Sequence, residues 1–163
     1  MKQSAEIAAP AAPRETLTGP RVGAAIAILL VLAFVLPYGA VTTLHKKRLR
    51  AADEGTRAIA ERLKVILAGQ SPDIPAGTEV FAGPGDRPVV NDARWSSATS
   101  IPLARVGVVA PPDPWGNAYL VNIAALRSGG TVWVLSAGPD GIVQTPFLSR
   151  SGPVADDRAT PLR

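Results

Sequence analysis

Residues 113–120 read DPWGNAYL, a stretch whose residue types resemble the approach to an active site. Pro114 fixes its own φ angle and pushes Asp113 into an extended conformation. Asn117 can bond to its own backbone in a turn. Trp115 is a large aromatic residue whose indole N–H needs one hydrogen-bond partner, and we expect its side chain to fill the core between a helix and the sheet. The stretch is therefore predicted to be a turn that starts a strand.

Two strands are predicted around this turn. Ala118–Ala124 (AYLVNIA) alternates partly, and Thr131–Ala137 (TVWVLSA) is β-branched and apolar. The SGG at residues 128–130 is typical of a hairpin loop. The SAGPDG at residues 136–141 is predicted to be a second turn, and the tail beyond it is expected to be irregular. A short helix is also predicted around residues 97–105.

A long apolar run precedes this part of the chain. Val22–Leu44 reads VGAAIAILLVLAFVLPYGAVTTL and contains no charged residue. As a helix it would be ~34 Å long, which is enough to cross a bilayer. It is followed by HKKRLR instead of the small residues of a signal-peptide cleavage site. We therefore expect a retained membrane anchor.

The helical pattern continues beyond this run. Apolar and small residues recur at spacings of three and four, as in a heptad stripe, and Gly69 followed by Pro72 suggests the end of the helix. The stripe is open to two interpretations, since it can pack on its own domain or also contact neighbouring copies. The candidate assembly residues on it are Leu49, Ile59, Leu63 and Ile66.

The predicted fold class is α+β, with a long N-terminal membrane-spanning helix packed on a small antiparallel sheet, a pilin-like arrangement. The predicted organisation has four parts in chain order. These are a disordered extension (1–21), a transmembrane helix (22–44), an amphipathic extension of that helix (45–69) and a soluble domain with Gly/Pro-rich loops (70–163).

Composition argues against an enzyme and against nucleic-acid binding. The chain has no cysteine and a single histidine, His45, so neither a Ser/His/Asp nor a Cys/His unit is expected. Residues 1–69 hold ten Lys/Arg against five Asp/Glu, whereas residues 70–163 hold seven Arg against eight Asp/Glu. Because the predicted soluble domain is near neutral, it lacks the basic face that nucleic-acid binding needs.

The combination of these features resembles a known family. A long N-terminal helix, then GPGD at 83–86, DPWGNAYL, VWVLSAGPDG at 132–141 and acidic residues near the C-terminus are similar to the major pseudopilin of type II secretion systems, of the type IV pilin-like family. The resemblance is most specific for DPWG-x-x-Y and SAGPDG at this separation. It implies a structural subunit of a pseudopilus, in the inner membrane as a single-pass protein with its C-terminal domain in the periplasm.

The resemblance also implies partners and a metal. The partners would be copies of the chain, other pseudopilins, the inner-membrane secretion machinery and the lipid bilayer. Calcium would bind in the loop after the second predicted strand. The residues that match the family's calcium site are Asp140, Asp156 or Asp157, and the carbonyls near Leu135 and Ser136.

One departure from the family keeps an alternative open. The region that should hold the leader-peptidase junction reads RETLTGPRV, at residues 14–22, and has neither the Gly–Phe junction nor the Glu that follows it in the family. We expect residues 1–20 to remain attached. The alternative is a membrane-anchored periplasmic binding or scaffold protein that does not polymerise.

Overall fold

The first element is a helix of 50 residues, α1 (Pro20–Gly69). The computed structural model describes residues 20–69, 74–127 and 130–162, and for residues 20–30, 32 and 34–40 it describes only the backbone. The predicted disordered extension at 1–21 lies almost wholly outside the described residues. Contacts between residues group the chain into two compact units, with the boundary between Thr42 and Thr43. The second unit, Thr43–Arg163, contains every strand described below.

In the described residues after α1 the chain forms seven short strands and two short helices, and five of the strands form one sheet. The sheet has the order β3-β1-β4-β5-β7, and β2 pairs with β6 in a separate two-stranded sheet. The strands are β1 (Val80–Ala82), β2 (Val89–Val90), β3 (Ser100–Pro102), β4 (Leu120–Asn122), β5 (Val132–Ser136), β6 (Ile142–Val143) and β7 (Arg158–Leu162). The short helices are α2 (Ala93–Ser97) and α3 (Ala124–Arg127), and a 3-10 turn spans Leu103–Val106.

The two faces of the five-stranded sheet bury different cores, because successive residues of a strand point to opposite faces. On one face, Val121 and Val134 pack with Ile59 and Leu63 of α1. On the other face, Leu120 and Leu135 lie in a cluster that also contains residues of α2, of β6 and of the loop after β6. This second cluster contains Trp95, Trp133, Val143 and Phe147. The sheet therefore separates the α1 core from a second core beneath the C-terminal loops.

The predicted antiparallel sheet is wrong in its pairing, although the chain folds as α+β. β4 and β5 are antiparallel neighbours, but β1 pairs with β3 in parallel, so the sheet is mixed. The connection between β4 and β5 contains α3, and residues 128–129 of the predicted hairpin loop lie outside the described residues. The tail expected to be irregular forms β7, whose five residues pair with β5. These strands gain their stability from pairing with distant residues, which local sequence patterns do not encode.

The predicted membrane-spanning helix is also wrong. A span needs a helix that is both long and apolar enough to cross the bilayer. None of the helices in the part of the chain that the structure describes meets both conditions. The assignment of residues 22–44 as a transmembrane anchor, and the single-pass inner-membrane localisation derived from it, are therefore corrected.

Two smaller expectations also changed. The helix predicted around residues 97–105 is interrupted by β3, so that α2 lies before it and the 3-10 turn after it. Trp115, expected to fill the core, is only partly buried and belongs to neither core cluster. Trp95 and Trp133 fill the second core instead, at 3% and 9% exposure.

Candidate functional site

The C-terminal half of α1, residues 44–69, presents two stripes with different surroundings. The stripe predicted for assembly is the one that packs on the domain's own sheet. Ile59 and Leu63 are 2% and 1% exposed, and Ile66 packs against the same core. Leu49 is only partly exposed. The structure therefore places most of this stripe within the domain, where it holds α1 against the sheet.

A second stripe of the same helix faces outward. Its residues recur at spacings of three and four, and all but Gly55 are exposed. Leu44 and Val65, at the two ends, are 58% and 73% exposed. The stripe consists of Leu44, Arg48, Ala51, Gly55, Ala58, Arg62 and Val65, and we call it the outer stripe. Its periodicity is visible in the sequence, but only the packing of α1 shows which of the two stripes is left uncovered.

A groove runs between the outer stripe and the loop at residues 109–114. Its volume is about 340 Å³, and apolar side chains line most of it. Arg62 joins the two walls, since its Nη1 donates a hydrogen bond to the carbonyl of Val109 at 2.9 Å. The loop wall carries three prolines, which fix the local backbone. The lining residues are Ala51, Gly55, Ala58, Ile59, Arg62, Val109, Ala110, Pro111, Pro112, Pro114 and Tyr119.

Tyr119 places a hydroxyl group in this groove. The residue is 2% exposed, and a Cβ atom built at Gly55 would lie 2.1 Å from its Oη. Glycine at position 55 therefore allows the phenol to reach α1. Among the described residues none forms a hydrogen bond with this hydroxyl. Burial, with a smaller contribution from the negative charge of Asp113, raises the pKa of Tyr119 to about 12, so the hydroxyl remains a donor at neutral pH.

The two motifs that suggested the family resemblance are held together by Asp113. Its Oδ1 accepts hydrogen bonds from the backbone N–H groups of Trp115 and Asn117, at 3.0 and 2.8 Å. Its Oδ2 accepts a hydrogen bond from Ser136 Oγ at 2.7 Å, across 23 residues. Asp113 is 4% exposed, and both of its carboxylate oxygens accept hydrogen bonds from the protein. Its role is therefore structural, since it connects the DPWG turn to β5.

The predicted calcium ligands lie around the same end of the β5–β7 pair. Asp140 is exposed, and its oxygens accept hydrogen bonds from Ile142 N and Gln144 Nε2, both at 2.8 Å. Asp156 lies against Gly138, where a Cβ would be 2.9 Å from Asp156 Oδ2. Leu135 and Ser136, whose carbonyls were the other candidates, are buried in β5.

Asp157 is the most deeply buried of these acids, at 3% exposure. Its Oδ2 accepts three hydrogen bonds, from Gln144 N, Thr145 N and Thr145 Oγ1. Its Oδ1 is buried and has no hydrogen-bond partner among the described residues. Desolvation by burial raises the pKa of this carboxyl, against the effect of the hydrogen bonds from Thr145 and Gln144.

These residues fit a calcium ion only in part. Calcium takes six to eight oxygen ligands, whereas both oxygens of Asp140 and Oδ2 of Asp157 already accept hydrogen bonds from the protein. No group of three or more metal-ligating side chains occurs among the residues that the structure describes. Among the described residues, Asp157 Oδ1 is the buried carboxylate oxygen without a hydrogen-bond partner. Calcium binding here stays a prediction.

In comparisons with known proteins, no family model, curated protein or solved structure matches the chain. The resemblance to the major pseudopilins therefore depends on the quoted motifs alone.

Proposed function

We propose that this protein is a structural subunit that assembles with copies of itself through the outer stripe of α1, in a pseudopilus-like assembly of the type II secretion type. The observation that carries the proposal is the outer stripe. It is a helical surface with apolar ends and small central residues that the domain leaves uncovered.

The chemistry of the outer stripe suits the packing of helices. Side chains at three- and four-residue spacing form the ridges and grooves through which helices interlock. Ala51 and Ala58 near the centre are small and exposed, so they allow a neighbouring helix to approach closely, because the distance between helix axes depends on the side chains at the contact. Leu44 and Val65 would bury apolar surface that is otherwise exposed to water.

The division of α1 into two stripes supports the same function. Ile59 and Leu63 are used by the domain's own core and fix the orientation of α1. A fixed helix presents the outer stripe in one defined direction, which a repeating assembly requires. When the outer stripes of two copies pack on each other, residues near the centre of the stripe meet the same residues of the neighbouring copy.

The experiment uses the absence of cysteine from the sequence. Single cysteines would be introduced at Ala51 and at Ala58 of the full-length protein and oxidised. We expect disulfide-linked dimers from both variants, and few from Arg57→Cys, a matched exposed position on another face of the same helix. Equal crosslinking at all three positions would contradict the proposal.

A second variant separates assembly from folding. Val65 is 73% exposed, so Val65→Asp should leave the melting temperature unchanged while it disrupts the stripe. We expect the Ala58→Cys crosslinks to be reduced at least fivefold in that background. By contrast, Ile59→Asp places an unpaired charge in the core and should unfold the domain, at a cost of several kcal/mol.

The second candidate function is a binding or scaffold protein that does not polymerise. The groove that contains the Tyr119 hydroxyl favours it, since a concave apolar site with one polar group is typical of ligand pockets. A protein that stays monomeric at high concentration, with no crosslinks at Ala51 or Ala58, would support this candidate.

A further inference from the structure

A compact group of basic side chains lies on α1 outside both stripes. Lys46, Lys47 and Arg50 are exposed. Because residues three and four positions apart are neighbours on a helix surface, Arg50 lies beside both lysines. None of the three belongs to the stripe that packs on the sheet or to the outer stripe, and we call them the basic patch. The basic patch is therefore available to a partner other than the neighbouring helix.

The protein does not neutralise the charge of the basic patch. None of the ion pairs among the described residues involves it. Glu54 lies one turn after Arg50 and forms no ion pair with it. In the sequence, no Asp or Glu occurs between Glu15 and Asp53, whereas Arg48 adds a further positive charge next to the patch. Several unbalanced charges of one sign at an exposed site attract a partner of the opposite charge.

The sequence before the basic patch favours one class of anionic partner. The uncharged and largely apolar run Val22–Leu44 ends two residues before Lys46. Basic residues beside apolar ones are typical of segments that bind the surface of anionic membranes, where the cations meet the lipid headgroups. Such a contact needs no helix that crosses the bilayer.

Nucleic acid is a poorer match for the same charges. Binding to a duplex uses a basic face of the folded domain, along which many phosphates are contacted. Residues 70–163 hold seven Arg against eight Asp/Glu, so the domain after α1 does not extend the basic patch. The excess of positive charge is therefore local, as expected for a contact with lipid headgroups.

We infer that the basic patch binds the headgroups of anionic phospholipids at a membrane surface. Lys46, Lys47 and Arg50 lie against the phosphate groups, and each basic residue near such a surface strengthens binding about fivefold. The inference goes beyond assembly, since it assigns to α1 a partner that is not a copy of the chain.

The test measures co-sedimentation of the full-length protein with lipid vesicles. One set contains phosphatidylcholine alone, and the other contains equal parts of phosphatidylcholine and phosphatidylglycerol. We expect binding to the anionic vesicles to be tighter by about tenfold or more at low salt. This preference should disappear in about 1 M sodium chloride, because the Debye length is then only about 3 Å.

Two double variants provide the matched comparison. Lys46→Gln/Lys47→Gln removes two charges from the basic patch and should weaken binding to anionic vesicles about twentyfold. Arg87→Gln/Arg105→Gln removes the same charge from two exposed residues of the domain after α1 and should bind like the wild type. Because all four positions are exposed, both variants should keep the melting temperature of the wild type.

Four outcomes would overturn the inference. These are equal affinity for the two kinds of vesicle, a preference that salt does not change, equal losses in the two double variants, or tighter binding to a DNA duplex than to anionic vesicles at the same phosphate concentration. Failure of the assembly proposal would be seen separately, because Val65→Asp should lose the cysteine crosslinks and still bind anionic vesicles.

Discussion

Thr56 on α1 and Thr160 on β7 join the first and last elements of the domain through a hydroxyl pair, with the two Oγ1 atoms 2.9 Å apart across 104 residues. Thr56 is 0% exposed, and its hydroxyl also donates to the carbonyl of Asp53 at 3.0 Å. Near this pair, the Nε of Arg158 lies 4.0 Å from Asp53 Oδ1. These contacts fix how far along the sheet the helix sits.

Removing either hydroxyl should destabilise the domain. Thr56→Val leaves the Thr160 hydroxyl without its partner, so we expect the free energy of unfolding to fall by about 1–3 kcal/mol. The loss of unfolding free energy in Thr160→Val should lie within the same range. The double variant should cost less than the sum of the two, since it removes both partners of one bond. Urea unfolding measures all three, and strictly additive costs would argue against the coupling.

The tryptophans provide a second prediction. Trp95 and Trp133 donate indole N–H bonds to the carbonyls of Thr145 and Ser149, at 2.9 and 2.8 Å. Each therefore anchors the loop that follows β6 to the second core. Trp95→Phe and Trp133→Phe should each cost about 1–3 kcal/mol, through a lost hydrogen bond and poorer packing.

The matched control for these variants is Trp115→Phe. Trp115 is only partly buried, and its indole makes no hydrogen bond among the described contacts. Its replacement should change the unfolding free energy by no more than about 0.5 kcal/mol. If Trp115→Phe proved as costly as Trp133→Phe, the loop anchors would not be the source of the stability.

These tryptophans also show what sequence reasoning could and could not find. The sequence indicated that an aromatic residue plugs a core, and it placed strands near β4 and β5, where β-branched residues are dense. It assigned the core position to Trp115, which is wrong, because which of the three tryptophans is buried depends on where the loop at 144–149 returns. The pairing of β1 with β3, and of β7 with β5, likewise depends on long-range contacts.

The candidate site shows the same limit. Both stripes of α1 can be read from residue spacing, yet the predicted one is mostly core, and the groove was not anticipated. Its walls come from α1, the loop at 109–114 and Tyr119, which are far apart in the chain. The position of the Tyr119 hydroxyl against Gly55 has no signature in the sequence, since it depends on how α1 packs on the rest of the domain.

Asp92 leads to a prediction about pH. Its Oδ2 accepts a hydrogen bond from Phe147 N at 3.0 Å, and its Oδ1 accepts one from Arg94 N at the start of α2. The hydrogen bond from Phe147 N makes the largest contribution to lowering the pKa of Asp92, and the bond from Arg94 N lowers it further. The carboxylate therefore stabilises the fold above its ordinary pKa of 3.8, and this contribution is lost as the pH falls through the lowered value.

The measurement compares urea unfolding of the wild type and Asp92→Asn between pH 2 and pH 6. Asparagine keeps an acceptor for the helix start but carries no charge. We expect Asp92→Asn to be less stable than the wild type near pH 6, and the difference to shrink toward pH 2. A constant difference across this range would contradict the assigned role of the carboxylate.

Calcium binding at the β5–β7 end is the last prediction. For a site with a dissociation constant near 1 mM, in the range of extracellular calcium modules, about 10 mM calcium would stabilise the fold by about 1.4 kcal/mol. We expect calcium to raise the melting temperature of the full-length protein and magnesium not to, because magnesium dehydrates reluctantly. Asp140→Ala should remove the gain, whereas Asp86→Ala, at an exposed acid outside this cluster, should keep it. If calcium left the melting temperature unchanged, Asp140 would serve only its own loop, through Ile142 N and Gln144 Nε2.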